Sequence, residues 1–175
     1  MIKAVLFPGN SPDVSKYKDS RDISGNISKT FDAGRSFLIN NLRWIQKDQH
    51  FNTIGILEIP EIALEEALLN AIVHRNYFLS SNIRIFIFDN RVEIISAGTL
   101  PNTVSVESMK MGIHIERNPI LVSILKDIAG IPYRGIGTGV QRILSECKKA
   151  KIKVDFFNET EAEQFKVIFY RNVEK

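Results

Sequence analysis

Apolar residues recur at two periods along the chain, and these periods predict its helices and strands. Spacings of three and four residues predict amphipathic helices at 30–46, 64–77 and 119–129, and a fourth helix follows a glycine-rich loop at 140–147. Short β-rich runs predict strands at 2–7, 52–59, 83–88, 92–95, 154–157 and 165–169. Because the last four strands form two hairpins, we predict an α+β two-layer sandwich, in which a mostly antiparallel sheet carries helices on one face.

The first 30 residues differ from the rest of the chain. After the strand at 2–7, residues 10–28 are polar and without periodicity, which predicts a long connection. A structureless loop of that length is uncommon inside a compact domain. We therefore expect residues 1–30 to be a strand and linker left from the junction to an absent module, and residues 31–175 to form the domain, with its motif core at 59–148.

The middle helix carries a ridge of polar residues. Glu66, Asn70 and His74 follow one another at four-residue intervals, so a carboxylate, a carboxamide and an imidazole share one face. Ala67 and Ala71 lie beside them and leave room for a ligand. A solvated helix face explains the same spacing equally well. The other half of this helix is apolar and is expected to pack on the core: Leu64, Leu68, Leu69, Ile72 and Val73.

The glycine-rich loop is a second candidate site. Gly135, Gly137 and Gly139 stand at alternate positions directly before a helix. Glycines permit close backbone approach, and the first N–H groups of a helix attract phosphate. The loop lacks the Gly-Lys-Ser/Thr ending of a P-loop and the strand and acidic partner of a Rossmann turn. Taken alone, it fits a tight turn better than a phosphate site.

Composition narrows the class of protein. The 175 residues are 44% hydrophobic and 25% charged, as in an average soluble domain. A net charge of +3 does not by itself indicate a nucleic-acid binder. The single cysteine, Cys147, excludes an internal disulfide and a cysteine-based zinc site. No apolar run approaches the ~20 residues of a membrane span, so we expect a cytoplasmic protein with no membrane partner.

Taken in order, the motifs resemble a known type of domain. The matching residues are Pro60-x-x-Ala63-x-x-Glu66-Ala67-x-x-Asn70-Ala71-x-x-His74-Arg75-x-Tyr77, Asp89-x-Arg91-x-Glu93-Ile94, Ser96-x-Gly98-x-Leu100-Pro101, Arg117-Asn118-Pro119 and Gly135-x-Gly137-Thr138-Gly139-x-x-Arg142. They resemble the Bergerat or GHKL ATP-binding domain of gyrase, Hsp90, histidine kinases and MutL. The resemblance is closest to a divergent branch in RecG-helicase-related transcriptional regulators, at the C-terminal region of AlbA-domain or Schlafen-like proteins.

The resemblance implies roles for the matching residues. Glu66 would be the general base that orients the attacking water, and Asn70 would coordinate the Mg²⁺ carried by ATP. Gly98 would lie beneath the adenine, and residues 102–134 would form a lid. The phosphates would be held by the glycine-rich loop: Gly135, Gly137, Thr138 and Gly139. For the branch-specific His74 and Arg75, a structural role is favoured over phosphate contact.

Ser96 departs from the wider group of ATPases. An Asp stands there in that group, and its carboxylate accepts a hydrogen bond from the adenine amino group. A neutral acceptor such as the Ser96 hydroxyl is roughly half as strong as a charged one. The departure therefore weakens the expectation of adenine recognition and of hydrolysis.

These implications lead to one function and two alternatives. The resemblance implies a regulatory domain that binds ATP and Mg²⁺ with weak or no hydrolysis, in a transcriptional regulator whose DNA-binding module lies outside this chain. A homodimer is left open. The first alternative is an active, helicase-associated ATPase, and the second is a domain that binds no nucleotide and serves dimerisation or another interaction.

Overall fold

A six-stranded sheet with helices packed against it forms the body of the protein. The computed structural model describes residues 1–13, 15–46, 55–101, 103–128, 131 and 137–172. In chain order its elements are β1 (Ile2–Leu6), β2 (Asp19–Ile23), α1 (Ile27–Asn40), β3 (Trp44–Ile45), β4 (Ile56–Leu57), α2 (Glu61–Val73), β5 (Ile83–Ile87), β6 (Arg91–Ala97), α3 (Val106–Lys110), α4 (Pro119–Leu125), α5 (Gly139–Ala150), β7 (Val154–Glu159) and β8 (Gln164–Tyr170).

The strand order of the sheet is β2-β1-β5-β6-β8-β7. β1 pairs with β5 in parallel, and the other four neighbouring pairs are antiparallel. The prediction of a mostly antiparallel sheet with helices is thus confirmed, as are both hairpins, β5–β6 and β7–β8. β3 and β4 form a separate two-stranded sheet. No helix among the described residues combines the length and apolarity needed to cross a membrane.

Helix α2 is the central element of the fold. Nine of its thirteen residues are buried, including all five of the predicted apolar stripe. It contacts α1, α5 and β6, so it is covered on several sides. A helix that is covered in this way needs apolar residues around most of its circumference, which its sequence supplies. The polar ridge of α2 consequently faces other parts of the protein.

The first 30 residues contribute to the same sheet. Residues 19–23, expected to be loop, form β2, and α1 begins at Ile27, capped by the side chain of Asn26. The side chains of β2 are mostly polar because it is an edge strand, which hid it from the hydrophobic pattern. The predicted junction to an absent module at residue 30 stays a prediction. Ile2 and Ala4 of β1 are fully buried in the main core.

Several expected burial patterns differ from the structure. Trp44 falls within the helix predicted at 30–46 but is 50% exposed, because α1 ends at Asn40 and Trp44 lies in β3. Helix α4, predicted at 119–129, ends at Leu125 and leaves the apolar Ile120 and Ile124 exposed. Glu93 is buried although it alternates with the apolar Val92 and Ile94. Part of the strand predicted at 52–59 lies outside the described residues, which contain only β4 from it.

Glu58 forms a buried ion network beside β4. Its side chain is 2% exposed and accepts hydrogen bonds from Arg43 Nη2 at 2.8 Å and from Arg171 Nη2 at 2.7 Å. Arg171 also donates to the carbonyl of Phe88. Burial alone would raise the pKa of Glu58, but the hydrogen bonds from Arg171 and Arg43 outweigh it and hold the pKa below its usual range. The network ties the end of β8 to the chain before α2.

Candidate functional site

A cavity of about 110 Å³ lies between α2, the end of β6 and the start of α5. That volume holds several water molecules, so packed side chains do not fill the space. Eight of the ten predicted site residues line it: Glu66, Asn70, His74, Ser96, Gly98, Gly137, Thr138 and Gly139. Gly135 lies outside the described residues. Arg75 lies away from the cavity, where it donates to the carbonyls of Leu79 and Ser81 and covers the ring of Tyr77.

Glu66 is buried on the side of α2 that faces α5. Arg142 Nη1 donates to Glu66 Oε1 at 2.5 Å and forms an ion pair with it. Burial raises the pKa of Glu66, although the nearby Arg142 acts in the opposite direction. One carboxylate oxygen is therefore already engaged by a cation. Arg142, which also lines the cavity, was part of the matching motif but was given no role from the sequence.

Helix α5 approaches α2 closely at Gly139. A Cβ added to Gly139 would lie 2.8 Å from Glu66 Oε2 and 3.1 Å from Asn70 Nδ2. The glycine is thus needed for the close approach of two helices. Thr138, the N-cap of α5, makes no side-chain capping hydrogen bond. The first N–H groups of this twelve-residue helix carry a partial positive charge and have no side-chain cap.

His74 ends α2 and contacts a histidine that the sequence did not single out. The rings of His74 and His114 pack edge to face with centroids 5.0 Å apart. Burial, with added repulsion from His114 and Arg117, lowers the pKa of His74 to about 4, so its ring is neutral at pH 7. Gly137, at φ +75°, lies against His114. No sequence spacing pointed to His114, because its partners come from distant segments.

The turn after β6 is held by hydrogen bonds within the protein. Gly98 N donates to the carbonyl of Glu163 at 2.7 Å, and Leu100 N donates to Asn158 Oδ1 at 2.8 Å. Arg117 donates to the carbonyl of Thr99. These contacts fix the turn against the β7–β8 hairpin and position it as one wall of the cavity.

Gly98 cannot be replaced without strain. Its φ is +97°, and a Cβ would lie 2.7 Å from Asn76 Cβ and 2.9 Å from Arg117 Nη1. We expect Gly98→Ala to lower the free energy of unfolding by about 2–3 kcal/mol, from backbone strain and overpacking together. Urea denaturation measures this loss.

Gly9 supplies the matched control for that substitution. It has φ +84°, and a Cβ added there would meet no other atom within 4 Å. Gly9→Ala should therefore cost only the backbone strain, about 1 kcal/mol. Equal losses in the two variants would show that crowding at Gly98 contributes nothing.

The charges around the cavity favour an anion. Two guanidinium groups, those of Arg117 and Arg142, line it. Among the described lining residues, Glu66 is the one carboxylate, and it is paired with Arg142. An anionic ligand placed here meets cations and an uncapped helix N-terminus, both of which attract it.

Comparison with known proteins adds a family and a fold. A family model described as "Putative ATP-dependent DNA helicase recG C-terminal" matches residues 80–169, just over half of the chain. That span begins after α2, so Glu66 and Asn70 fall outside it. No curated protein sequence matches the chain.

A solved structure shares the fold over nearly the whole chain. The DIP2311 protein from Corynebacterium diphtheriae matches with a TM-score of 0.77 and 18% identity, over 97% of this chain and 34% of that protein. This chain thus spans about a third of the length of that relative. At this identity the likeness is one of fold.

Proposed function

This chain belongs to the family of RecG C-terminal, ATPase-like domains, and on that premise we propose that it is a GHKL-type domain that binds ATP with Mg²⁺ in the cavity beside α2. The observation that carries the proposal is the contact of Glu66 and Asn70 with the start of α5 at the edge of one cavity that all of them line. We further propose that ligand binding regulates an attached DNA-binding module, with weak or no hydrolysis.

The α5 end of the cavity suits the phosphates. Gly137, Thr138 and the first turn of α5 offer backbone N–H groups, and the N-terminus of this helix offers a partial positive charge. The contact of Gly139 with Glu66 and Asn70 leaves no space between those side chains for a phosphate. The triphosphate would accordingly lie over Gly137 and Thr138.

The donor set near α2 fits Mg²⁺. This ion prefers oxygen ligands, keeps several waters and is commonly held by few protein groups together with phosphate oxygens. Asn70 supplies a carboxamide oxygen, which lies 3.4 Å from the position a Cβ of Gly139 would take. When bound, the ion would neutralise charge on the triphosphate.

The wall of the cavity that lies away from α5 suits the purine base of the nucleotide. It is largely apolar, with Ile94 of β6, Met109 of α3 and Val167 of β8 among its lining residues. Such a surface packs against a planar ring, and Ser96 is the polar side chain set into it. Gly98 lies two residues further along, as the resemblance implies for a residue beneath the base.

The ion pair of Glu66 supports a domain that binds ATP with little hydrolysis. A general base has to accept a proton from the attacking water, and an ion-paired carboxylate accepts one less readily than a free one. Arg142 holds Glu66 in such a pair. Coupling to DNA rests on the family description, which names a DNA helicase, and on the resemblance to transcriptional regulators.

Titration calorimetry with ATP and Mg²⁺ tests the proposal. We expect Asn70→Ala to weaken MgATP binding about tenfold or more, because the ion loses its amide ligand. The matched control is Asn82→Ala, whose exposed side chain lies outside the cavity and should not change the affinity. Chelation of Mg²⁺ should remove the difference between the two variants.

Two results would contradict the proposal in different ways. An unchanged affinity in Asn70→Ala would show that Asn70 does not serve the metal ion. Failure of the unaltered protein to bind any nucleotide at millimolar concentration would favour an interaction domain instead. The observation that favours an interaction domain is the apolar surface of α4, where Ile120 is 77% and Ile124 is 52% exposed.

A further inference from the structure

The apolar wall proposed for the base, which is formed by β6, β8 and the turn after β6, offers few polar groups to a ligand. The N–H groups of Gly98 and Leu100 are already bonded to Glu163 and Asn158, and the carbonyl of Thr99 accepts from Arg117. Ser96 is 5% exposed, and its backbone pairs with β8. Ser96 lines the cavity, and its hydroxyl makes no side-chain hydrogen bond within the part of the chain that the structure describes.

The chemistry of this hydroxyl differs from that of a carboxylate. A serine O–H both donates and accepts, and it rotates to suit its partner, whereas an ionised carboxylate only accepts. A purine with an amino group at position 6 presents a donor there, and a purine with an oxo group presents an acceptor. One serine hydroxyl can satisfy either group by rotation.

The charged groups elsewhere in the cavity do not restore a preference for a 6-amino purine over a 6-oxo purine. The carboxylate of Glu66 is held by Arg142 on the α5 side of the cavity. Arg117 is held at the turn by the carbonyl of Thr99. Among the described residues, neither group forms a hydrogen bond with the Ser96 side chain. Among the lining residues that the structure describes, selection at position 6 of the base therefore falls to Ser96.

We propose that Ser96 makes the cavity a purine-nucleotide site without strong preference for adenine, accepting 6-amino and 6-oxo purine nucleoside triphosphates alike. This inference rests on the proposed function, because it assumes that the base lies at the β6 wall. A site of this kind responds to the total pool of purine triphosphates. A carboxylate at position 96 would instead reject the oxo group, since two acceptors would face each other.

Calorimetric titration with ATP and with inosine triphosphate isolates the exchange of amino for oxo at position 6. For the unaltered protein we expect the two dissociation constants to agree within about threefold. Each nucleotide gives up one neutral hydrogen bond to water on binding and forms one neutral hydrogen bond with Ser96. Ser96→Asp should create a preference for ATP of about tenfold or more, through its acceptor-only carboxylate.

Ser96→Ala provides a second variant that adds no buried charge and keeps the test valid if Ser96→Asp fails to fold. It should weaken both nucleotides by the same factor, about threefold to tenfold. A loss confined to one nucleotide, or no loss for either, would overturn the role of Ser96.

The two levels of the proposal fail differently. A strong preference for ATP in the unaltered protein would overturn the inference about Ser96 and leave the ATP-binding function standing. Absence of binding for both nucleotides would overturn both.

Discussion

Replacing Glu58 by glutamine is expected to lower the free energy of unfolding by about 3–5 kcal/mol. The side chain of Glu58 is 2% exposed and is the shared counter-ion of Arg43 and Arg171. Removing its charge leaves the guanidinium of Arg171, whose side chain is 8% exposed, buried without that charge opposite it. Urea denaturation at neutral pH measures the loss.

The effect of Glu58 should depend on pH in a defined direction. Its pKa in the folded protein lies below the ordinary value of 4.5, so the folded state holds its proton less tightly than the unfolded state. The stabilisation is therefore fully present above about pH 4.5 and is lost as the pH falls through the lowered pKa. Plots of the free energy of unfolding against pH for the unaltered protein and for Glu58→Gln should converge in acid.

Two further variants separate burial from charge. Asp22→Asn removes an exposed partner of Lys3, and we expect a loss of no more than about 1 kcal/mol. Glu58→Leu combined with Arg171→Met replaces a buried pair by apolar side chains, which is often close to neutral. A Glu58→Gln loss as small as that of Asp22→Asn would contradict the buried network.

Replacing Arg142 by methionine is expected to raise ATP turnover by about 100-fold, if ATP binds as proposed. The substitution frees the carboxylate of Glu66, and its pKa rises further because the guanidinium that lowers it is gone. Such a carboxylate is a better general base near neutral pH. Phosphate release at saturating ATP and Mg²⁺ measures the change.

The same substitution should cost stability. Arg142 is 38% exposed, so solvent screens the pair, and we expect a loss of about 1–2 kcal/mol. Lys149→Met is the matched control, because it breaks an exposed pair with Glu146 on the same helix. It should change neither ATP turnover nor the free energy of unfolding appreciably. Adding Glu66→Gln to Arg142→Met should return turnover to background. A fall in turnover in Arg142→Met would show that Arg142 assists the reaction or binds the nucleotide.

The elements with strong local patterns were predictable. Alternating β-rich runs around short polar turns gave both hairpins, and a glycine loop before an apolar stripe gave α5. The polar edge strand β2 and the two-residue strands β3 and β4 carry no such pattern. In α4 the helix was predicted, but its apolar spacing did not separate the buried Val122 and Leu125 from the exposed Ile120 and Ile124.

The site was predictable as a set of residues but not as a set of contacts. The spacing of Glu66 and Asn70 and the glycine loop were visible in the sequence, and the structure brings them to one cavity. The pairing of Glu66 with Arg142 joins residues that lie 76 positions apart, and it depends on how α5 packs on α2. Local periodicity carries no information about that packing.

The parallel pairing of β1 with β5 has a consequence for the order of folding. Ile2 lies opposite Ile83, so β1 is synthesised about 80 residues before its inner neighbour exists. Until then β1 and β2 can form only an isolated antiparallel pair, which is marginal in water. Closing so long a chain segment is entropically costly and slow. During translation, therefore, the sheet cannot be completed around β1 until both helices of the crossover and β5 have left the ribosome.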